Sequence, residues 1–239
     1  MKVSTKLKSI APDVWLMPFP LRMLGMDFQR HVTLIRLSSG KIFIHSTAPF
    51  TPADIASIHR LGKPEWIADV LLRHDTFAER GRAAFPSAVY LAPDGFTGAT
   101  GIPAQPLVPP PAEWAGEIDV IPVLGAPAFS ETVVFHRASG TLVVGDLVIN
   151  FDGGTGIFSK VLLNLGAVGG HYHPGMTRPF KNAIEDPAAF AASLAEILAL
   201  DIKRVIVGHG DPIHESARQK LRQAFASAGV LGPADAGAR

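Results

Sequence analysis

Arg204 to His214, RVIVGHGDPIH, is the stretch that most narrows what this chain can fold into. Val205, Ile206 and Val207 form an apolar run with the length of one buried strand. The run stops at Gly208, His209, Gly210, where two glycines leave a single imidazole clear of neighbouring side chains. Asp211 and Pro212 then carry the signature of a helix start, an N-cap followed by a first-turn proline, so the expectation is a strand-to-helix corner with His209 at its apex and a helix over Ile213 to Ala228. Rigid corners of that kind hold site residues in α/β proteins. A lone histidine in a turn is more often a hydrogen-bonded surface group. What makes His209 a candidate is a second strand of similar build, Thr141 to Asp146 (TLVVGD), which ends in a carboxylate.

Other apolar runs follow the same rule. Val14 to Phe19 opens the series, and His31 to Leu37 with Lys41 to Ser46 reads as a hairpin turned at Ser38, Ser39, Gly40, its second strand ending on His45. Thr51 caps a helix with Pro52 in its first turn, and Trp66 to Leu72 is a buried strand that runs into Arg73, His74, Asp75. A helix over Thr76 to Phe85, a strand Ala88 to Ala92, a Pro- and Gly-rich loop Asp94 to Gly116 and strands Ile118 to Val123 and Thr132 to Arg137 follow. Helix Pro187 to Leu200 precedes the strand RVIVG, and GPADAGAR closes the chain as a frayed tail. Antiparallel strand pairs with helices between them, in both halves of one 239-residue chain without a linker, imply an α/β protein. Its two sheets would lie between helix layers, a four-layer αββα sandwich forming a single domain, 1–239. Asn150 to Lys181, glycine-rich around Val161, Leu162, Leu163 and Leu165, is long for a loop in a compact domain. It reads as a lid over a site, a homodimer contact or a piece of core.

The chain has no cysteine, which excludes disulfides, thiolate metal sites and cysteine nucleophiles together. A formal net charge of +1, with basic residues scattered, argues against nucleic acid and anionic membrane as partners. No apolar run approaches the ~18 residues of a membrane helix and the first ten residues lack the apolar stretch of a secretion signal, so the expectation is a soluble, cytoplasmic protein. No Gly-x-Ser-x-Gly elbow occurs, and Asp152 to Gly156 lacks the lysine of a phosphate-binding loop.

Four polar groups fall at strand ends: His45, His74, Asp146 and His209. Imidazoles and a carboxylate without thiolates suit zinc, iron or manganese. The order of these motifs, from the APDVWLM strand through the hairpin, the strand ending in His74, the Gly145–Asp146 pair and the Gly208–Gly210 corner, resembles the metallo-β-lactamase fold superfamily over roughly Ile10 to Ala228. That resemblance implies two metals held by a His-x-His-x-Asp-His run, a later His, a bridging Asp and a final His. Here His74 stands at the first position of the run, with Asp75 competing for the register, whereas Thr76, Ala78 and Glu79 replace the second His, the Asp and the last His. Ala126, in Gly125-Ala126-Pro127, replaces the later His; Asp146 and His209 match. The chain is thus similar to a branch of the superfamily with a degenerate metal motif.

Two functions from different classes follow. In one, His74, Asp146 and His209 hold a single metal that activates water for hydrolysis of a small ester, lactone or amide, with Asp75 or Glu79 as base. His171 and His173 (GGHYHPG) would supply replacement ligands if the long segment folds over the site; otherwise they are solvated loop residues. In the other, which we take forward, the same groups are a structural relic, hydrogen-bonded at the sheet ends. The strand-end edge then binds a small molecule without two-metal hydrolysis. His136 and His214 read as surface residues.

Overall fold

The computed structural model describes residues 6–23, 26–72, 75–151 and 165–231. Seven strands build the first sheet in sequence order: β1 (Lys8–Ala11), β2 (Val14–Met23), β3 (Met26–Arg36), β4 (Lys41–His45), β5 (Lys63–Ala68), β6 (Val89–Ala92) and β7 (Gln105–Pro106). The second sheet contains β8 (Ile118–Pro122), β9 (Thr132–His136), β10 (Thr141–Val143) and β11 (Arg204–Ile206), in the order β11-β10-β9-β8. The helices whose bounds lie within the described residues are α1 (Pro52–Leu61), α2 (Ala78–Ala84), α3 (Phe96–Thr100), α4 (Arg178–Asn182), α5 (Pro187–Ala199) and α6 (Ala217–Ala228). None of the described helices is long and apolar enough to cross a membrane.

Alternation along the strands creates the layers. In β4 the residues Ile42 and Ile44 join Val32 and Leu34 of β3 in one apolar cluster under Ile58 of α1, Ala78 of α2 and Phe96 of α3. Phe43 faces the other way, into a second cluster with Val134 of β9, Val143 of β10 and Val205 of β11, which continues to Leu194 of α5 and Phe225 of α6. Helices, sheet, sheet, helices is the αββα sandwich that the strand pattern implies. A one-residue slip of β4 would exchange these two faces, so the register Thr33 to His45 between β3 and β4 is strongly specified. The helix starts are specified locally: Thr51 and Asp54 form a reciprocal capping box at α1, and the Asp186 carboxylate accepts from the Ala188 and Ala189 amides at α5.

Several boundaries differ from the sequence expectation, each for a tertiary reason. The last helix begins at Ala217, preceded by Ser216, rather than at Ile213. Ile213 is buried, and its amide and carbonyl pair with those of Val205, so the chain folds back along β11 before turning helical. That pairing overrides the Asp-Pro start signal. Strand β5 ends at Ala68 instead of Leu72, which leaves Asp69 at the strand end. The chain from Asp75 starts as a 3-10 turn before α2. The stretch Asp94 to Gly116 holds α3, β7 and a 3-10 turn that buries Trp114, whose ring lies 4.4 Å from Phe43 and 5.7 Å from Trp66, centroid to centroid. Of the long segment, Val161, Leu162 and Leu163 lie outside the described residues. Its last part is packed: Phe180 of α4 is fully buried, 4.4 Å from the Phe129 ring. His136 is a correction too. It is 3% exposed, its Nδ1 is 2.8 Å from the Ser139 hydroxyl, and burial lowers its pKa.

Candidate functional site

The edge of the sandwich is assembled on two glycines. β10 and β11 run parallel and stop at Val143 and Ile206, and the loops beyond them touch where the Gly208 amide donates to the Gly145 carbonyl at 3.1 Å. A Cβ on Gly208 would lie 2.6 Å from that carbonyl oxygen, so only glycine permits the approach. The residues that follow each glycine, Asp146 and His209, are thereby brought together: His209 Nε2 lies 3.5 Å from Asp146 Oδ1, with side chains 13% and 22% exposed. His209 Nδ1 is 3.0 Å from the Gln29 carbonyl, a contact that puts the proton on Nδ1 and leaves Nε2 directed at the carboxylate. Strand β3 grips the same corner twice more, through His31 Nδ1 donating to the Val207 carbonyl at 2.9 Å and the His31 amide donating to the Gly208 carbonyl at 3.1 Å.

Gly210 closes the corner with φ +103°, and a Cβ there would lie 2.0 Å from the Asn150 carbonyl oxygen. Gly210→Ala is therefore expected to destabilise the fold by roughly 2–4 kcal/mol, from left-handed strain plus the clash, read from the shift in a urea unfolding midpoint. A variant as stable as the parent would show that the corner is free to rearrange.

Beneath Asp146 sits Glu131, fully buried just before β9. Its oxygens accept from the Gly145 amide at 2.7 Å and the Asp146 amide at 2.9 Å, which ties down the loop that presents Asp146. Burial and then the Asp146 charge push the Glu131 carboxyl up to about 8, against the pull of those amides.

A second buried cluster lies at the ends of β4, β5 and β6. Asp69 and Arg30 are paired at 2.9 Å with side chains 0% and 3% exposed. The Asp69 carboxylate also accepts from the Thr47 amide at 3.1 Å, the Thr47 hydroxyl at 2.8 Å and the Tyr90 hydroxyl at 2.7 Å. The Arg30 guanidinium stands 5.8 Å from the Phe77 ring centre. Burial and the Asp69 charge push the Tyr90 hydroxyl up, so it stays a neutral donor; burial lowers Arg30, while Asp69, Asp146, Tyr90 and Asp75 act in the opposite direction.

The expected residues are placed unevenly. Asp146 and His209 come together; His74 lies outside the described residues. Asp75 and Glu79 are exposed, on the 3-10 turn and on α2, and His171 and His173 are exposed near Tyr172. His45 is buried between the sheets, where with Arg30, His31, Thr33, Gly145 and Gly208 it encloses a space with no room for a water molecule. A larger cavity of about 330 Å³ opens beside the edge, between the β6–β7 and β8–β9 connections. Pro93, Val108, Pro122, Leu124, Pro127 and Glu131 contribute to its wall.

With this geometry the chain has the metallo-β-lactamase fold, as its solved neighbours show. A metallo-β-lactamase from Erythrobacter litoralis, with β-mercaptoethanol in its active site, matches at TM-score 0.68 and 15% identity over 94% of this chain and 96% of that one. The DIM-1 metallo-β-lactamase matches at 0.62 and 16% over 93% and 97%, and the Flv1 flavodiiron core from Synechocystis sp. PCC6803 at 0.63 and 14% over 93% and 60%. No family model matches the sequence, and no curated protein does. At these identities the likeness defines the fold and nothing finer.

The metals of that fold do not fit the described residues. Ala126, where the resemblance puts the later histidine, is buried in the apolar core, and Thr76 and Glu79 in the ligand run are exposed. Among the described residues no group of three His, Asp or Glu is placed to hold a metal ion. Among the described residues Asp146 and His209 are the two candidate donors brought together, too few by themselves for a dinuclear centre, and His74 lies outside those residues.

Proposed function

We propose that this protein binds a small, largely apolar molecule at the strand-end edge of the sandwich and does not carry out two-metal hydrolysis. The observation that carries the proposal is the 330 Å³ cavity walled in part by Glu131, the residue that holds the Asp146 loop. Its volume suits a small ligand, and its wall includes Val108 and Leu124, two of the three exposed large apolar residues among those described, Leu124 at 57%. The apolar wall would take the body of the ligand. A hydroxyl or amine on it would be directed toward the carboxylate side of the edge, where Asp146 is accessible.

One observation favours a second function, a single-metal hydrolase of small esters, lactones or amides: the Gln29 carbonyl fixes the His209 ring with Nε2 toward Asp146, the kind of outer hydrogen bond that metal-ligating histidines make. A paired measurement separates the two. Protein purified without added metal is expected to contain well under one equivalent of zinc, iron or manganese and to hydrolyse neither p-nitrophenyl acetate nor a γ-lactone above background. It should bind anilinonaphthalene sulfonate in a manner abolished by Leu124→Asp. Stoichiometric metal that disappears in His209→Ala together with a hydrolytic rate would establish the hydrolase and end the binding proposal.

A further inference from the structure

Strand β3 carries a buried cation, Arg30, to the edge of the sandwich. Gln29 and His31 are both hydrogen-bonded to the corner at Val207 to His209, and Arg30 lies between them, so its position relative to that corner is fixed from two sides. Its guanidinium crosses to Asp69 at 2.9 Å and lies over the Phe77 ring at 5.8 Å, with only 3% of the side chain exposed. Arg30 and Gly145, the residue before Asp146, border the same enclosed space between the sheets. A permanent cation is therefore held behind the corner that carries Asp146 and His209, where it cannot leave and cannot lose its proton.

We infer that Arg30 is the built-in counter-charge of this edge, taking over from a metal ion the neutralisation of its carboxylates and opposing the entry of a divalent cation between Asp146 and His209. The charge balance supports it. Asp69 is paired with the guanidinium and has its shell completed by Tyr90 and Thr47, and Asp146 and Asp75 are near enough to act on the same cation, so Arg30 is a positive charge that these acidic groups share. Asp69 anchors Arg30 in the way an outer carboxylate anchors a metal-binding histidine, which makes Asp69 and Arg30 positioning residues rather than catalytic ones. A second metal-like charge at Asp146 would stand against a fixed positive one in a poorly screened interior. The inference rests on the reading above only in taking the edge to work without two metals.

The test is zinc binding alone, by calorimetric titration of chelator-treated protein, with circular dichroism to confirm folding. Arg30→Met is expected to tighten zinc binding at least about tenfold over the parent, because one opposing charge is removed, and His209→Ala in that background should abolish the gain. Arg30→Lys keeps the charge and should match the parent. If Arg30→Met does not fold, Arg30→Met/Asp69→Asn removes a neutral pair rather than a charge. It should shift zinc affinity in the same direction by about threefold. Parent-like affinity in a folded Arg30→Met, or in the double variant where that one does not fold, or an equal gain in Arg30→Lys, overturns the inference. Failure of anilinonaphthalene sulfonate to respond to Leu124→Asp would instead sink the ligand-binding proposal and leave the zinc comparison intact.

Discussion

Asp69→Ala is expected to lower the unfolding free energy by about 3–5 kcal/mol, among the largest losses available to a single substitution in this chain. Three separate strands depend on that carboxylate: Arg30 of β3 at 2.9 Å, Thr47 just after β4 at 2.8 Å and Tyr90 of β6 at 2.7 Å. Alanine strands the Arg30 guanidinium in the interior without its partner and leaves the Thr47 amide without its acceptor, and neither group can reach water by a small movement. Tyr90→Phe removes one hydroxyl and one hydrogen bond together, so it should cost only about 1 kcal/mol. Urea unfolding of the three proteins, compared by midpoint at constant m-value, reads both numbers. An Asp69→Ala loss no larger than that of Tyr90→Phe would mean that Arg30 is neutralised by other carboxylates, with Asp146 and Asp75 the first to consider.

The layers were legible because they follow from alternation. Lys41–His45 sends Ile42 and Ile44 to one face and Phe43 and His45 to the other, and no long-range knowledge is needed to see that both faces must be covered. The start of the last helix was illegible for the opposite reason. Asp211-Pro212 is a sound local signal, and only the approach of Val205, eight residues upstream in a paired strand, shows that Ile213 is held extended. The small elements between Asp94 and Gly116 were hidden by their Pro and Gly content, although a tryptophan in such a stretch is itself a sign that part of it is buried.

Within the site, Asp146 and His209 could be picked out because each follows an apolar run and a glycine, and the structure shows why the glycines are required. Arg30, Asp69 and Glu131 were missed. Their signal was present as charges embedded in apolar runs (FQRHVTLI, WIADVLL, FSETVVF), where a buried charge demands a partner, but Arg30 and Asp69 are 39 residues apart and nothing local says that they meet. The resemblance to the metallo-β-lactamase fold directed attention to the positions of its ligands, and these three residues occupy none of them. They compensate charge at the edge from positions that the motif does not name.

Between pH 7.5 and pH 4.5 the parent protein is expected to lose about 2–3 kcal/mol of stability through His31 alone. Its side chain is buried on the inner face of β3, and burial first, then the neighbouring His209, lowers its pKa from 6.5 to about 4 in spite of the hydrogen bond to the Val207 carbonyl, with Asp211 raising it and Lys8 lowering it more weakly. The folded chain therefore refuses a proton that the unfolded chain accepts between those two values, so unfolding free energy rises with pH there. The stability is fully present above 6.5 and is lost as pH falls toward about 4. Glu131 tilts the profile the other way, because its folded value of about 8 lies above the ordinary 4.5 and its contribution is lost as pH rises. A raw pH profile mixes the two, and His31→Asn separates them. Asparagine keeps a donor for the Val207 carbonyl without a titratable ring, and Glu131 is the same in both proteins. The difference in unfolding free energy between pH 7.5 and pH 4.5 should shrink in the variant by about 2–3 kcal/mol. An unchanged difference would mean that the corner opens to let His31 take up its proton, and that the grip of β3 on Val207 to His209 is looser than the hydrogen bonds imply.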